Sequence, residues 1–363
     1  MDFDVTLLTL DYDAEKVKKA FHFSESVTLS SAEKLPKFKP LLPKGMAFQR
    51  TLFAKAERKR TRDIYREYDI IFHTQAGHFL GPPERRTFNV FYDPSDLLLI
   101  QKISESDTNT TSGPPARPWK RPYYFFLRQL SNNDDQDIRG AWNIPLSKAL
   151  EELLEKSGYR HSRYIYPPCD MSFRPRPKVS RIVQVTRIVP HKRLEEFMEI
   201  ARRLPHYKFL IVGSISETER HLNPGYAERL LKQLPSNVKY VETRIRDSPE
   251  LLEESMVYLY TSHEPGINIS TAQAAGAGCI PITPVYGGGA ELVRNLGAGY
   301  CYANLQHAVA CIIKAIENPE WSVQEISSRA KVFSSERFRE NIKNIVSSFI
   351  KNPQTLDRLS PPQ

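Results

Sequence analysis

Short apolar runs alternate with amphipathic stretches along the second half of the chain. Runs rich in Ile, Val, Leu and Tyr have the length of buried strands, and they lie at residues 181–185, 209–212, 238–241, 257–260 and 280–282. Between these runs, apolar positions at helical spacing predict helices at 194–204, 226–234 and 249–255, with two more beginning at 270 and 287. The alternation predicts a doubly wound α/β domain, in which ligands bind outside the carboxyl ends of the strands.

The first half carries the same alternation in a less regular form. A helix is predicted from Ala14, and apolar runs predict strands at residues 4–10, 68–74 and 87–92. Stretches rich in Ser, Asn, Asp and Pro predict loops at residues 104–117 and 131–137. The βα order again favours a parallel sheet.

A proline-rich segment at residues 166–177 divides the chain. Proline lacks an amide donor and fixes φ, so this segment is hostile to helix and predicts an interdomain linker. At 363 residues the chain has room for two domains of ordinary size. We expect an N-terminal domain at 1–176, a C-terminal domain at 177–334, and a C-terminal helix and tail at 335–363 that packs back toward the first domain.

The composition is typical of a globular protein. Hydrophobic residues make up 40% of the chain and charged residues 26%, which excludes a disordered or fibrous protein. No apolar run reaches the roughly 18 to 20 residues of a transmembrane span, and the acidic N-terminus lacks the pattern of a signal peptide. A cytoplasmic protein is predicted. The four cysteines have no metal-ligand spacing and are expected to be reduced.

The net charge of +9 includes one dense basic cluster, formed by Lys44, Arg50, Lys55, Arg58, Lys59, Arg60 and Arg62. A solvated helix face, a contact with anionic lipid at the inner face of a membrane, and a nucleic-acid contact are three interpretations of it. Nucleic acid ranks last because no neighbouring aromatic motif suits base stacking or groove reading. A run of aromatic and basic residues at 120–127 is either core or an interfacial patch that meets lipid.

Several loops of the second half carry residues suited to a phosphorylated ligand. Arg187 and Lys192 follow the first predicted strand, and Gly213 ends the second. Later segments read V-Y-L-Y-T-S-H-E-P-G-I-N at 257–268, A-A-G-A-G-C-I-P at 274–281 and G-G-G-A-E at 287–291. In the order and spacing of these motifs, residues 180–295 resemble the C-terminal domain of glycosyltransferase family 4, whose members have the GT-B fold.

The resemblance implies an α/β protein of GT-B fold, with two doubly wound Rossmann-like domains facing across a cleft. It also implies transfer of a hexose, such as mannose or glucose, from a nucleotide diphosphate sugar to an acceptor hydroxyl with retained configuration. The basic cluster and the aromatic run favour a glycan or lipid-linked acceptor and a peripheral membrane contact. No metal and no cofactor are implied. A non-catalytic nucleotide-sugar-binding or scaffold protein derived from the family is the alternative.

The resemblance also assigns roles to residues, and the chemistry agrees with them. A departing diphosphate gathers negative charge, which fixed cations and oriented amides stabilise. Arg187 and Lys192 are the expected cations, and Glu264 is expected to hold the sugar. Glycines let the backbone approach phosphate at helix starts. The remaining expected ligand contacts are Gly213, Gly266, Ile267, Asn268, Thr271, Gln273, Gly288 and Glu291.

The family's motif of two Glu residues separated by seven positions is altered in this sequence. Glu264 and Gly266 match its start if one aromatic position is deleted. The second Glu, which binds ribose in the family, then falls on or beside Thr271, with Gln273 as the nearest long polar side chain. Either can hydrogen-bond a hydroxyl, although neither is a charged acceptor.

The first half departs further from the family. Residues 3–9 resemble its second strand, so the first strand, its Gly-rich loop and its helix are expected to be missing ahead of Met1, through a misplaced start codon, a truncated copy or a degenerate acceptor lobe. The family's His near the reacting sugar falls close to Tyr92, with His73 and His78 as nearby alternatives. Asp2 and Asp4 imitate a metal-binding pair, but they lie on a predicted strand beside no other ligand, so no metal site is expected.

Overall fold

A computed structural model describes residues 68–73, 87–91, 140–264 and 266–351 of the chain. It also describes two short strands that pair in parallel, β1 (Val5–Thr6) and β2 (Val27–Thr28). Several predicted features lie outside the described residues. These are the helix from Ala14, the basic cluster at 44–62, the run at 120–127, Tyr92 and His78.

A small parallel sheet precedes the main domain. Its strands, in sheet order, are β3 (Ile71–His73), β4 (Thr87–Phe91) and β5 (Trp142–Pro145). The strands predicted at 68–74 and 87–92, and their parallel pairing, are thereby confirmed. Helix α1 (Lys148–Lys156) follows β5, and the Ser147 hydroxyl caps it by accepting a hydrogen bond from the Leu150 amide.

The second half forms a six-stranded, fully parallel sheet. Its strands are β6 (Val179–Val185), β7 (Lys208–Gly213), β8 (Val238–Glu242), β9 (Ser255–Leu259), β10 (Ile280–Pro284) and β11 (Tyr300–Tyr302). The sheet order is β11-β10-β9-β6-β7-β8. The chain therefore winds in one direction from β6 to β8 and then returns to β9 on the other side of β6, which is the switch point of a doubly wound fold.

Helices connect these strands, and three further helices follow β11. They are α2 (Leu194–Arg203), α3 (Glu217–Leu222), α4 (Tyr226–Lys232), α5 (Glu250–Glu253), α6 (Ile269–Gly276), α7 (Gly288–Leu296), α8 (Leu305–Glu317), α9 (Val323–Arg329) and α10 (Ser335–Lys351). Every strand and helix predicted from the second half is confirmed, with bounds that shift by a few residues. The sheet is covered on both faces because its apolar side chains fill two clusters, one around Ile182 and Phe197 and one around Val183 and Tyr258.

The proline-rich segment contains no helix or regular strand, as predicted, yet it is tied to the body of the protein. The Cys169 amide donates to the Phe333 carbonyl at 3.0 Å, and the Ser335 amide donates to the Cys169 carbonyl at 3.2 Å. Cys169 is fully buried, and burial followed by the nearby charge of Asp170 raises the pKa of its thiol to about 12. The segment is therefore held by backbone hydrogen bonds against the start of α10.

Helix α10 packs on the small sheet. Ile345 and Phe349 share a buried cluster with Phe88 and Trp142, and the rings of Phe88 and Phe349 meet edge to face at 5.2 Å. The last described helix of the chain thus covers strands that lie far earlier in sequence.

Within the described residues, no helix is long and apolar enough to cross a membrane. All four cysteines belong to the described part, and each carries a free thiol, as predicted.

Candidate functional site

The predicted ligand residues gather where β6, β7, β9 and β10 end. These strands are neighbours in the sheet, and β6 is its switch point. Parallel strands place their carboxyl ends on one edge, so the loops that follow them meet there. Hydrogen bonds join these loops directly: the Thr261 hydroxyl donates to the Lys192 carbonyl at 2.8 Å, and the Ser262 hydroxyl donates to the His191 carbonyl at 2.9 Å.

Lys192 and Glu264 form the charged centre of this edge. Lys192 lies in a 3-10 turn, Pro190–Lys192, that ends at Arg193 in the left-handed region with φ 53°. Its ammonium contacts the Glu264 carboxylate, which also accepts a hydrogen bond of 3.2 Å from the Tyr260 hydroxyl. The predicted cation and the predicted sugar ligand are therefore brought into direct contact.

Burial and neighbouring charge act in opposite directions on Glu264. Burial favours the neutral acid, but Lys192 and then His191 favour the carboxylate, and the pKa of Glu264 lies below its ordinary value as a result. The Nε2 atom of His191 lies 3.4 Å from the Glu264 Oε1 atom. Burial lowers the pKa of His191 more than Glu264 raises it. At neutral pH, Glu264 is accordingly ionised and His191 neutral.

Arg187 reaches a second carboxylate beside this pair. Its guanidinium lies 3.2 Å from Glu219, and the Arg187 side chain is 61% exposed. Glu219 is buried in the first turn of α3, where it forms a reciprocal capping box with Ser216. Burial opposes ionisation of Glu219, but the Ser216 hydrogen bonds and Arg187 outweigh it, so the pKa of Glu219 is lowered. Arg187 is thus anchored at one point and open to solvent along most of its length.

Gly213 and Gly288 are required by close backbone approaches. A Cβ atom on Gly213 would lie 1.8 Å from the Thr186 carbonyl oxygen, and one on Gly288 would lie 2.0 Å from the Gly266 carbonyl oxygen. The Gly288 amide donates to the Glu264 carbonyl at 2.9 Å. The start of α7 is therefore stacked directly on the segment that contains Glu264. The following first-turn amides of α7 have no carbonyl partner within the helix and form a positive helix end.

Asn268 and Thr271 are engaged with each other. Asn268 caps α6, and its side-chain oxygen accepts from the Thr271 amide at 2.8 Å and from the Thr271 hydroxyl at 2.9 Å. Thr271 is fully buried, while Gln273 keeps 8% of its surface exposed. Ile267 is half-buried and packs against the main core. Thr271, on or beside which the ribose-binding Glu was expected, is here part of a helix cap.

The Glu291 side chain is bound to the start of α1. Its carboxylate accepts hydrogen bonds from the amides of Lys148 at 2.7 Å and Ala149 at 3.3 Å, at the start of α1. Burial raises the pKa of Glu291, although these two amides and Tyr166 partly offset it. A residue expected at the ligand therefore caps a helix that follows the small sheet.

Sequence reasoning missed three contributors to this edge. Tyr260 is fully buried in an apolar run that resembles a core strand. The sequence pattern therefore predicts a packing role for its ring and gives no sign that its hydroxyl binds Glu264. His191 adjoins Lys192 but has no motif of its own. Glu219 was detectable, because Ser216 and Glu219 have the spacing of a capping box.

His73, an alternative for the family's histidine, ends β3, and burial lowers its pKa to about 4.

A doubly wound parallel sheet with cations and glycine-fixed turns at its switch point defines the class of Rossmann-like nucleotide-binding domains. Residues 172–333 match the family model described as "Glycosyl transferases group 1". This part of the chain is therefore similar to glycosyl transferases group 1, as the resemblance predicted. No curated protein sequence matches the chain.

Solved structures of glycosyltransferases have a similar fold. HepE of Anabaena, crystallised with UDP and glucose, is 17% identical, with 82% of each chain covered and a TM-score of 0.58. Sucrose-phosphate synthase of Thermosynechococcus elongatus is 14% identical, with 88% of this chain and 82% of that chain covered and a TM-score of 0.60. A glycosyltransferase from Rickettsia africae is 13% identical, with 87% and 84% covered and a TM-score of 0.59. The parallel α/β architecture predicted from the sequence is confirmed as that of GT-B proteins.

Proposed function

We propose that this protein is a glycosyltransferase that moves a hexose from a nucleotide diphosphate sugar to an acceptor hydroxyl with retained configuration and without a metal ion. The observation that carries the proposal is the contact between Lys192 and Glu264 beside the Gly288 turn. A cation, a carboxylate and a helix start meet at one switch point. The cation and the helix start suit a diphosphate, and the carboxylate suits the hydroxyls of the sugar attached to it.

The cations act on the leaving group. When the bond between the anomeric carbon and the diphosphate oxygen breaks, its electron pair goes to the diphosphate, whose charge grows in the transition state. The acceptor oxygen bonds to the anomeric carbon, and its proton passes to the departing diphosphate. Arg187 is largely exposed and can turn toward the ligand, whereas Lys192 is buried and contacts the Glu264 carboxylate. The positive start of α7 adds fixed dipoles that need no reorganisation. These groups perform the charge stabilisation for which other enzymes use a metal ion.

The segment from Glu264 to Asn268 holds the sugar in this proposal. The Glu264 carboxylate accepts hydrogen bonds from sugar hydroxyls, and Lys192 then turns from Glu264 toward the diphosphate. The backbone amides of Gly266 and Ile267 lie on the same segment. Gln273 meets the ribose, since the Thr271 hydroxyl is bound to Asn268. Glu291 contributes indirectly, by holding α1 against the start of α7.

A non-catalytic nucleotide-sugar-binding protein is the second candidate. It is favoured by the Thr271 hydroxyl, because a capping Thr occupies the position at which the family has a charged ribose ligand. Binding could persist under these conditions while turnover is lost. The two candidates share the donor site and differ in the reaction.

A glycan or lipid-linked acceptor and a peripheral position at the inner face of the cytoplasmic membrane complete the proposal. They are supported by the basic cluster at 44–62 and the aromatic run at 120–127 in the sequence. Sedimentation with anionic vesicles but not with neutral vesicles tests the membrane contact. Failure to bind either kind would remove it.

The reaction is tested with purified full-length protein and a panel of UDP-, GDP- and ADP-hexoses. We expect nucleoside diphosphate to be released from at least one donor, faster with a glycan or lipid-linked acceptor and equally in the presence of a chelator. NMR of the product reports whether the anomeric configuration is retained. Tight donor binding with no release, with or without acceptors, would favour the non-catalytic candidate.

A further inference from the structure

Tyr286 is the most exposed of the large hydrophobic side chains in the described part of the chain, at 66%. It stands in the turn between β10 and α7, directly before Gly287. Single exposed aromatics are common on protein surfaces, so exposure alone says little. The location is the informative feature, because this turn lies on the edge of the sheet where the charged pair of Lys192 and Glu264 is found.

The backbone around Tyr286 is fixed on both sides. The Val285 amide donates to the Tyr302 carbonyl at 2.9 Å, and the Arg294 guanidinium donates to the Val285 carbonyl at 3.0 Å. On the other side, Gly287 has φ 81°, and a Cβ atom there would lie 2.5 Å from the Glu264 carbonyl oxygen. The turn is therefore packed against the segment that contains Glu264, and the Tyr286 ring projects from a held position.

A second ring lies beside it. The centroids of His263 and Tyr286 are 6.4 Å apart, with the ring planes inclined by 58°. His263 directly precedes Glu264. Burial, followed by the charge of Arg193, lowers the pKa of His263, so its imidazole is neutral at neutral pH. Two aromatic rings thus form an open corner next to a charged site.

We propose that Tyr286 and His263 form a sugar-stacking subsite at the rim of the donor site. A hexose ring is polar around its edge but presents C–H groups on one face, which pack on an aromatic ring while the hydroxyls reach charged or hydrogen-bonding groups. Glu264 adjoins the aromatic corner and supplies such a group. Ligand sites combine apolar and aromatic walls with a few placed polar groups in this way.

The hexose belongs either to the donor or to the acceptor, and the ring recognises the same chemistry in both. The fixed backbone of the turn also suits recognition energetically, because binding then orders less of the protein. The subsite extends the proposed function and rests on it for the identity of the neighbouring diphosphate site.

Titration calorimetry on full-length Tyr286→Ala and Tyr286→Phe tests the subsite. Each variant is titrated with a nucleoside diphosphate, with the corresponding nucleotide hexose, and with methyl hexosides in the presence of the nucleoside diphosphate. Tyr207→Ala is the matched control, since Tyr207 precedes β7 at the opposite edge of the sheet. We expect Tyr286→Ala to lose about fivefold or more in affinity for one sugar-bearing ligand, while diphosphate affinity is kept and Tyr286→Phe resembles wild type.

The ligand affected identifies the source of the sugar. If Tyr286→Ala loses affinity for the nucleotide hexose, the donor's sugar packs on the ring. If it loses affinity for the methyl hexosides, the acceptor's sugar packs there. An equal loss of affinity for the nucleoside diphosphate in Tyr286→Ala would overturn the inference, because the ring would then only support the turn. Unchanged affinities in Tyr286→Ala would overturn it while leaving the proposed function standing. Wild-type protein that binds methyl hexosides through Tyr286 but no nucleotide hexose would sink the proposed function alone, and protein that binds neither would sink both.

Discussion

The carboxylate of Glu291 lies 2.7 Å from the backbone nitrogen of Lys148, although 143 residues separate the two in sequence. Glu291 stands in the first turn of α7, and Lys148 begins α1. With the Ser147 hydroxyl on the Leu150 amide and Glu291 on the Lys148 and Ala149 amides, the first three amides of α1 are satisfied. One glutamate thereby fastens α1 to the helix whose start is the proposed phosphate contact.

We predict that Glu291→Ala lowers the free energy of unfolding by about 1–2 kcal/mol, because two amides of α1 lose their acceptor. Glu291→Gln keeps one acceptor oxygen of the two, so only one of the two amides retains its partner and the loss should be smaller than in Glu291→Ala. Denaturant unfolding measures the change. Glu325→Gln, which affects an exposed pair with Arg329, is the control with little expected change. Glu291→Ala with wild-type stability and weaker donor binding would instead make Glu291 a ligand residue.

The pH dependence of stability should report the pair of Lys192 and Glu264. The pKa of Glu264 is lowered in the folded protein, so its ionised form stabilises the fold above the ordinary carboxyl pKa of 4.5 and this contribution disappears as the pH falls through the lower, folded value. Glu264→Gln should therefore be less stable than wild type at pH 7, with the difference shrinking below about pH 4.5. Thermal unfolding across this range measures it. A difference that stays constant with pH would contradict the charge pairing.

Gly288→Ala should damage both the fold and the site. Its Cβ atom would lie 2.0 Å from the Gly266 carbonyl oxygen, which is backbone and cannot rotate away. We expect a loss of at least about 2 kcal/mol in unfolding free energy and a clear loss of diphosphate affinity. Gly158→Ala is the matched control: Gly158 has φ 68° but no atom within 4 Å of an added Cβ, so only backbone strain of roughly 1–2 kcal/mol is expected, without any effect on binding.

Thr271 and Gln273 should separate structural from ligand roles. Thr271→Val removes the hydroxyl bound to Asn268, and we expect about 1 kcal/mol of destabilisation with unchanged nucleotide affinity. Gln273→Leu should keep the fold and weaken nucleotide binding by about tenfold, through loss of a hydrogen bond to ribose. Calorimetric titration with a nucleoside diphosphate compares the two. Weaker nucleotide binding in Thr271→Val, with unchanged binding in Gln273→Leu, would assign the ribose contact to Thr271.

Much of the fold follows from the sequence because strong local patterns dominate it. The runs that became β6 to β10 are short, apolar and β-branched, and the helices between them are amphipathic. Weaker elements escaped prediction. Helix α3 has few apolar positions and depends on the capping box of Ser216 and Glu219, while β11 has three residues and obtains its place by pairing with β10.

The site was predictable where a loop residue follows a strand and less so where contacts are long-range. Lys192 and Glu264 come together because parallel strands end on one edge, a rule that needs only the strand assignment. The partner of Glu291 could not be inferred, because the contact joins α7 to a helix 143 residues away. The hydrogen bonds between Thr271 and Asn268 are local in sequence. They were not predicted because the spacing of Thr271 from Glu264 also suits a ligand contact.

The donor site itself is tested most directly by titrating nucleoside diphosphate into wild-type protein and into the double variant Arg187→Ala, Lys192→Ala. Lys208→Ala with Arg203→Ala is the matched control, since it removes the same charge from exposed positions, one at the amino-terminal start of β7 and one at the end of α2. We predict that the site variant loses affinity by about 100-fold or more, while the control stays within about twofold of wild type. Equal affinity in all three proteins would contradict the assignment of Arg187 and Lys192 to the diphosphate.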